Sequence, residues 1–329
     1  MTANEKRSRP ASPMTVVDSH HHFLPPRYME EVGEAEISRL LVSGNAPEWT
    51  PARSVEAMDR NGISFAVLSL SSPALCTLDL TKRISLARYC NEYAAGMAQD
   101  RPGRFGSFAT LPLPDMEASL REIEYCADTL SCDGFCLMTN YSGLYLGDDY
   151  FAPLFEELNR RKSAVFVHPA VPAPMSAALG LPPATLEFPF DTTRTIANLL
   201  FTGSLSRYQD IRFIFSHAGG TVPFLAARLA RLESQARFRE QVPNGVVNEL
   251  ARLYFDTALS TDKFSLPGLL RVASPERVLF GSDYPHAGEA IGDRALESLR
   301  KLDLNAGLLR KIELGNALGL LGERRRLMP

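Results

Sequence analysis

Short apolar runs recur along the chain, and amphipathic helical patterns separate them. Most runs are almost continuously apolar, which is typical of strands buried on both faces of a parallel sheet. Eight strands alternating with helices predict an α/β fold, a (β/α)8 TIM barrel, with a doubly wound sheet as the alternative. The predicted strands are Thr15–Ser19, Phe65–Leu70, Arg104–Ala109, Gly134–Met138, Ala164–Val167, Arg212–Phe215, Leu253–Phe255 and Arg277–Phe280. The clearest helical patterns are Leu80–Gln99, Met116–Thr129, Phe151–Arg161, Thr193–Ser206 and Val222–Glu233.

Two longer segments interrupt this alternation. Phe23–Pro51 separates the first strand from its helix, and the proline-rich Ala170–Asp191 follows the fifth strand. Both come after the carboxyl ends of strands, where a barrel places its active site. We therefore expect these long loops to cover a pocket and shape its specificity. We predict one domain over residues 14–322, with flexible tails at residues 1–13 and 323–329.

Composition excludes several classes of protein. The chain has 329 residues, 45% of them hydrophobic, and its 35 basic and 38 acidic side chains leave a net charge of −3. This balance gives no surface for nucleic acid or membrane. The five cysteines form no Cys-x-x-Cys pair, which argues against a zinc ribbon or a disulfide framework. The polar start has no apolar signal segment, so we expect a cytoplasmic protein.

All six histidines lie near the carboxyl ends of predicted strands. His20 and His22 are two residues apart, so on a strand they point to the same side, whereas His21 points away and is expected to support the packing. His168 and His217 follow the fifth and sixth strands. Taken alone, each would be interpreted as a buried core histidine, but a barrel brings the two together with the others.

A carboxylate completes this set. Asp283 follows the eighth strand, which barrel closure places beside the first. Nitrogen and oxygen ligands of this kind suit zinc, with manganese as the harder alternative. His286 lies three residues further on, in the loop, and is a weaker candidate for contact with substrate.

Four motifs together resemble the amidohydrolase superfamily, in the branch called amidohydrolase 2. They are Asp18-x-His20-x-His22, Val167-His168-Pro169, Ser216-His217-Ala218-Gly219-Gly220 and Gly281-Ser282-Asp283-Tyr284-Pro285. The resemblance extends from Val17 to Leu321. Further stretches, such as Tyr254-Phe255-Asp256-Thr257-Ala258, are similar to the non-oxidative decarboxylases of this branch. Those enzymes act on amino-carboxymuconate semialdehyde, resorcylates and 6-methylsalicylate.

The resemblance implies His20, His22, His168 and Asp283 as ligands of one divalent metal ion per chain. It implies His217 as a catalytic base or orienting group. Many members of the superfamily hold a second metal through a carboxylated lysine that ends the fourth strand. No lysine occurs in Gly134–Met138 or directly after it, so a mononuclear site is expected.

Two arginines are candidates for binding a substrate carboxylate, because the guanidinium fork matches it. Arg194 lies at the start of the predicted helix after the fifth strand. Arg228 lies eleven residues after His217, a spacing that matches an arginine of the semialdehyde decarboxylase that reaches into a neighbouring subunit. That match implies a homodimer or a higher homo-oligomer. For each arginine, a salt bridge on the helix surface is the alternative.

These observations lead us to expect a metal-dependent decarboxylase of a small, aromatic, ortho-hydroxybenzoate-like acid. Asp283, or His217 coupled to it, would deliver a proton to the ring carbon that bears the carboxylate. The alternative activity is hydrolysis of a lactone or of a ring-cleavage product, with the metal activating a water molecule. A metal-stabilised binding module without catalytic activity is the third hypothesis.

Overall fold

Eight parallel strands form a nearly closed barrel in the computed structural model, which describes residues 15–172 and 179–322. The order of the strands around the barrel is their order in the chain. They are β1 (Val17–His22), β2 (Phe65–Ser69), β3 (Phe105–Thr110), β4 (Gly134–Met138), β5 (Ala164–His168), β6 (Arg212–Phe215), β7 (Tyr254–Asp256) and β8 (Val278–Leu279). The prediction of a (β/α)8 barrel is confirmed, and the doubly wound sheet was wrong.

The barrel closes between β8 and β1 through the residues that follow β8. The Ser19 amide donates to the Phe280 carbonyl at 2.9 Å, and the Asp283 amide donates to the His20 carbonyl at 2.9 Å. His21 and Tyr284 form an isolated parallel bridge. These contacts pair the last residues of β1 with the segment that follows β8. They place Asp283 directly beside the histidines of β1.

The strands carry large buried rings on both of their faces. Phe166 stacks on Phe108 and packs against the His20 ring inside the barrel. Phe213 contacts Phe155 of an outer helix, in the layer between the barrel and the helices. Burying one such side chain stabilises the fold by roughly 1.5–3 kcal/mol relative to leaving it exposed. This packed core fixes the directions of the strands, and therefore the positions of the polar side chains at their carboxyl ends.

Helices cover the outside of the barrel. The α-helices are Pro26–Val32, Glu34–Ser38, Pro51–Asn61, Leu80–Asp100, Met116–Asp128, Ala152–Arg160, Glu187–Phe201, Ser204–Arg207, Val222–Ala230, Ala236–Arg239, Val246–Arg252, Leu266–Leu269, Glu289–Lys301, Ala306–Arg310 and Asn316–Leu321. Short 3-10 turns and one π-helical segment, Lys311–Gly315, connect some of them. Within the described residues, no helix is both long and apolar enough to cross a membrane.

Two predicted boundaries differ from the structure in ways that affect the site. The first strand runs to His22 rather than ending at Ser19, because the three histidines keep extended backbone and pair with β2 and with the residues after β8. The helix predicted over Thr193–Ser206 begins instead at Glu187 and ends at Phe201. The proline-rich insertion is therefore shorter than expected, and its last residues form the first helical turns.

The two insertions are described unequally. Phe23–Pro51 contains the helices Pro26–Val32 and Glu34–Ser38, and its later part lines a cavity of about 390 Å³ together with His286. Residues 173–178 of the second insertion lie outside the described residues. The predicted tails, at residues 1–13 and 323–329, lie outside them as well.

Candidate metal centre

Four histidines and one aspartate converge at the carboxyl ends of the strands. The Nε2 atoms of His20 and His22 are 2.9 Å apart, and the Asp283 carboxylate lies 3.3 Å from the first and 3.1 Å from the second. The rings of His168 and His217 pack against His20, with centroids 5.4 and 4.9 Å away. The structure thus brings together all five residues that the sequence analysis singled out here.

The hydrogen bonds of His20 and His22 show which ring nitrogens are free. The Nδ1 atom of His20 is 2.8 Å from a carboxylate oxygen of Asp256, and the Nδ1 atom of His22 is 3.1 Å from the Ser69 carbonyl oxygen. Both partners are acceptors, so each neutral ring carries its proton on Nδ1. Each of the two facing Nε2 atoms therefore carries a lone pair. Because the two lone pairs repel each other, a proton or another cation is required between them.

His168 follows the same arrangement. Its Nδ1 atom is 3.0 Å from the Pro169 carbonyl oxygen, which leaves the lone pair of Nε2 free apart from a 3.5 Å contact with the Ser71 hydroxyl. Three imidazoles thus present Nε2 lone pairs beside one carboxylate, with Nδ1 fixed by an acceptor. Metal-binding histidines usually have such second partners. This donor set fits a divalent metal ion.

The pKa values of these side chains are shifted by their burial and by the charges of their neighbours. Burial lowers the pKa of His20, but the carboxylates of Asp256 and Asp283 outweigh it and raise the pKa from 6.5 to about 10. Burial lowers the pKa of His168 well below its usual range, and the neighbouring histidines add to this effect. Burial raises the pKa of Asp283, but the histidines around it, His20 first, bring it well below its usual range.

His217 differs from the other three histidines in its position. It lies in a short 3-10 turn after β6, with a positive φ of 52°. Its Nε2 atom is 3.5 Å from the Asp283 carboxylate, and its buried Nδ1 atom has no partner among the described residues. Ligand atoms of His20, His168, His217 and Asp283 all lie within 4.8 Å of one another. His217 is thus close enough to exchange a proton with Asp283.

Asp256, which the sequence analysis did not single out as a site residue, joins two parts of the site. Its carboxylate accepts from the amides of His217 at 3.0 Å and Ala258 at 2.9 Å, in addition to its bond with the His20 ring. It is fully buried at the carboxyl end of β7. One carboxylate therefore sets the ring orientation of His20 and holds the turn that carries His217.

His21 points away from the centre. Its Nδ1 atom is 3.0 Å from Asp18, its Nε2 atom is 3.1 Å from the Ser54 hydroxyl, and its ring stacks on Tyr284. Asp18 also accepts from the Ser282 hydroxyl at 2.6 Å. This buried network ties β1 to the segment that carries Asp283.

His286 stands beside the centre with both ring nitrogens buried and without a partner among the described residues. Its ring centroid is 5.1 Å from that of His22. Burial lowers the pKa of His286 from 6.5 to about 3, so its ring is neutral near pH 7. It also lines the 390 Å³ cavity described above. A buried imidazole in this situation is open to hydrogen bonds with a ligand.

The two candidate arginines are both exposed. Arg194 lies in the second turn of the helix Glu187–Phe201, where it interacts with the Tyr145 hydroxyl. That hydroxyl also donates to the buried Asp191 carboxylate at 2.6 Å. Arg228 lies in the last turn of Val222–Ala230 and has no ion pair with any residue that the structure describes. Neither arginine forms an ion pair with Asp283, whose partners among the described residues are histidines.

A (β/α)8 barrel with imidazoles and a carboxylate at the carboxyl ends of its strands is the arrangement of a metal-dependent enzyme of the amidohydrolase type. The chain belongs to the amidohydrolase family, whose sequence profile matches residues 17–322. The predicted family is confirmed.

Two relatives of this chain are named as decarboxylases. Decarboxylase yanB of Aspergillus niger is 40% identical over 290 residues, which cover 83% of this chain and 78% of that protein. The 6-methylsalicylic acid decarboxylase of Penicillium expansum is 35% identical over 315 residues, covering 93% and 96%. These similarities confirm the predicted class of enzyme, a metal-dependent carboxy-lyase, over the hydrolase alternative.

Solved structures share the fold. A crystal structure described as amidohydrolase II is 30% identical, with a TM-score of 0.86, over 94% of this chain and 100% of that one. A dihydroxybenzoic acid decarboxylase from Polaromonas, solved with bound manganese and the inhibitor 2-nitroresorcinol, has a TM-score of 0.80 at 22% identity. That alignment covers 95% of this chain and 99% of the other.

Proposed function

We propose that this chain catalyses the non-oxidative decarboxylation of a small ortho-hydroxybenzoate-like acid. The observation that carries the proposal is the set of three Nε2 lone pairs beside the Asp283 carboxylate. Such a set is suited to one divalent ion. The names of the relatives supply the reaction: one is called a decarboxylase, and another is called a 6-methylsalicylic acid decarboxylase.

We assign His20, His22, His168 and Asp283 as the residues that hold the ion. Three nitrogens and one carboxylate favour zinc, and the manganese in the Polaromonas structure makes that ion the alternative. Such an ion would supply Lewis acidity toward the oxygen atoms of an acidic substrate. Asp256, Ser69 and the Pro169 carbonyl keep the histidine rings in place.

We assign His217 and Asp283 to the transfer of a proton to the substrate. A proton shared across their 3.5 Å separation is transferred to the ring carbon that carries the carboxylate. The bond from this carbon to the carboxylate then breaks, its electron pair returns to the ring, and carbon dioxide leaves. The proton takes the place of the departing carbon dioxide on the ring carbon, and the His217–Asp283 pair regains a proton from solvent. No oxidant or reductant is needed.

We propose Arg194 and Arg228 as partners of the substrate carboxylate, with Arg228 acting in the site of a second subunit. Support for a homodimer comes from the helix Val222–Ala230, where Phe224 lies one turn before Arg228 and is 89% exposed. An exposed ring next to an arginine without an ion pair is typical of a surface that becomes buried on association.

The test is a substrate panel. Metal-loaded protein is incubated with salicylate, 6-methylsalicylate and 2,6-dihydroxybenzoate, and carbon dioxide and phenolic products are followed, with a chelated control. We expect metal-dependent release from at least one of these acids. Absence of release across the panel, with one ion bound per chain, would contradict the proposal.

A further inference from the structure

A separate cavity of about 90 Å³ lies at the opposite end of the barrel. Arg212, the first residue of β6, and Tyr254, the first residue of β7, line it together with Arg277, which directly precedes β8. All three positions are at the amino-terminal ends of strands. The packed barrel interior therefore separates this cavity from the metal centre.

One carboxylate lines the cavity, and it is already engaged. Glu249 pairs with Arg252 at 2.9 Å through one oxygen. Its other oxygen accepts from the Asn244 amide at 2.8 Å and lies 3.5 Å from the Ser206 hydroxyl. Glu249 therefore balances the charge of Arg252 and no further cation.

The other two guanidinium groups have no carboxylate partner among the residues described. Arg212 donates to the carbonyl oxygens of Leu320 and Lys162, and its buried Nε has no acceptor within residues 15–172 and 179–322. The guanidinium carbon of Arg277 lies 4.3 Å from the centre of the Tyr254 ring. Burial lowers the pKa of Arg212, and the charge of Arg277 acts in the same direction. Arg212 and Arg277 are thus two cations at one cavity without an ion pair among the described residues, although the charge of Arg277 also acts on the adjacent Glu276 carboxylate.

We propose that this cavity binds a small oxyanion of the size of inorganic phosphate. Its charge would offset Arg212 and Arg277, and guanidinium forks match the oxygens of such an ion. A volume of about 90 Å³ exceeds the roughly 10–15 Å³ that one water molecule needs, and it is well below the roughly 300 Å³ of pockets for organic ligands. The site is independent of the proposed decarboxylation.

The experiment measures phosphate binding to the full-length, metal-loaded protein. Melting temperature is followed against sodium phosphate concentration, with sodium chloride holding the ionic strength constant, and calorimetry gives the affinity. We expect saturable stabilisation of the wild type. Arg277→Gln is the test variant, because the Arg277 side chain has no hydrogen bond with the described residues that its loss would break. Arg271→Gln removes the same charge from an exposed position that does not line the cavity.

We expect Arg277→Gln to weaken phosphate binding by about tenfold or more, as for loss of a charged hydrogen bond, while Arg271→Gln retains wild-type affinity. Two results would overturn the proposal. One is the absence of phosphate-dependent stabilisation in the wild type. The other is equal affinity in the wild type and Arg277→Gln, which would place the ion elsewhere, such as at the metal centre. Decarboxylase activity does not enter either result.

Discussion

The Nε2 atoms of His20 and His22 face each other at 2.9 Å, and each ring donates from Nδ1 to an acceptor of its own. Two neutral imidazoles in this geometry repel unless a positive charge lies between them. In the metal-free protein, the raised pKa of His20, about 10, indicates that a proton supplies this charge. A metal ion would take its place.

Metal uptake should therefore release a proton. Because ligands bind metal in their deprotonated form, we expect about one proton per ion near pH 7–8. Calorimetry of metal-free protein with zinc, in buffers of different ionisation enthalpy, measures this number. Uptake without any proton release would contradict the protonation of His20.

The same shift predicts how pH affects the metal-free protein. The pKa of His20 in the folded state, about 10, lies above its ordinary value of 6.5. Its contribution to stability is therefore fully present below pH 6.5 and is lost as the pH rises through about 10. Urea unfolding of chelated protein at pH 6, 8 and 10 should show decreasing stability, and His20→Ala should remove this slope. A slope that persists in His20→Ala would assign it to another group.

Asp256→Asn should weaken metal binding by about 10–100-fold, as is usual when the second partner of a metal-binding histidine is lost. The substitution replaces the acceptor of the His20 ring proton with an amide whose orientation is no longer fixed by charge. Competition with a chromophoric chelator gives the affinity. Asp303→Asn, at an exposed position, is the control and should bind metal normally. Equal affinity in both variants would remove Asp256 from the metal-holding network.

His286→Leu should separate stability from substrate binding. The His286 imidazole makes no hydrogen bond with the described residues, so the substitution breaks none. An apolar side chain at this position should therefore leave the melting temperature unchanged or raise it. If the ring nitrogens bind substrate, KM should rise by about tenfold, with metal content unchanged. Ser43→Ala, at another residue that lines the same cavity, is the control. A lower melting temperature with an unchanged KM would give His286 a structural role only.

Arg228 can be tested by mixing two inactive variants. Arg228→Ala and Asp283→Asn each remove a different part of the proposed composite site. If Arg228 acts in the partner's site, mixed dimers contain one site with both residues intact, and activity should return to roughly a quarter of wild type when the subunits assort at random. Mixtures that remain inactive although the subunits exchange would place Arg228 outside the partner's site.

The sequence predicted the barrel because apolar runs at regular spacing are a local signal of buried parallel strands. It also predicted the convergence of His20, His168 and Asp283, since the carboxyl ends of all strands meet at one end of a barrel. The predicted end of β1 at Ser19 was wrong, because a run of three histidines lacks the apolar character of a buried strand. The backbone pairing that extends β1 comes from residues after β8, far along the chain.

Asp256 illustrates a limit of a different kind. Its partner His20 is 236 positions away, so no local pattern joins the two residues. The available signal was a carboxylate directly after the apolar run Leu253–Phe255. A similar signal identified Asp283, which follows the run Arg277–Phe280 after two intervening residues. Applied to every strand, that rule would have found Asp256 as well. The roles proposed for Arg194 and Arg228 carry no such signal, because both residues lie at exposed helix positions and not at the carboxyl end of a strand.

The most direct test of the account compares carbon dioxide release by the wild type and by His217→Ala, each with its metal content measured. With 6-methylsalicylate as substrate, we expect metal-dependent release by the wild type. We expect none by His217→Ala at equal metal content and with an unchanged melting temperature, because the ion is still held but the proton is not delivered. Turnover by His217→Ala close to that of the wild type would contradict the role of the His217–Asp283 pair. A metal-loaded wild type that releases no carbon dioxide from this acid or from the rest of the substrate panel would contradict the proposed reaction itself.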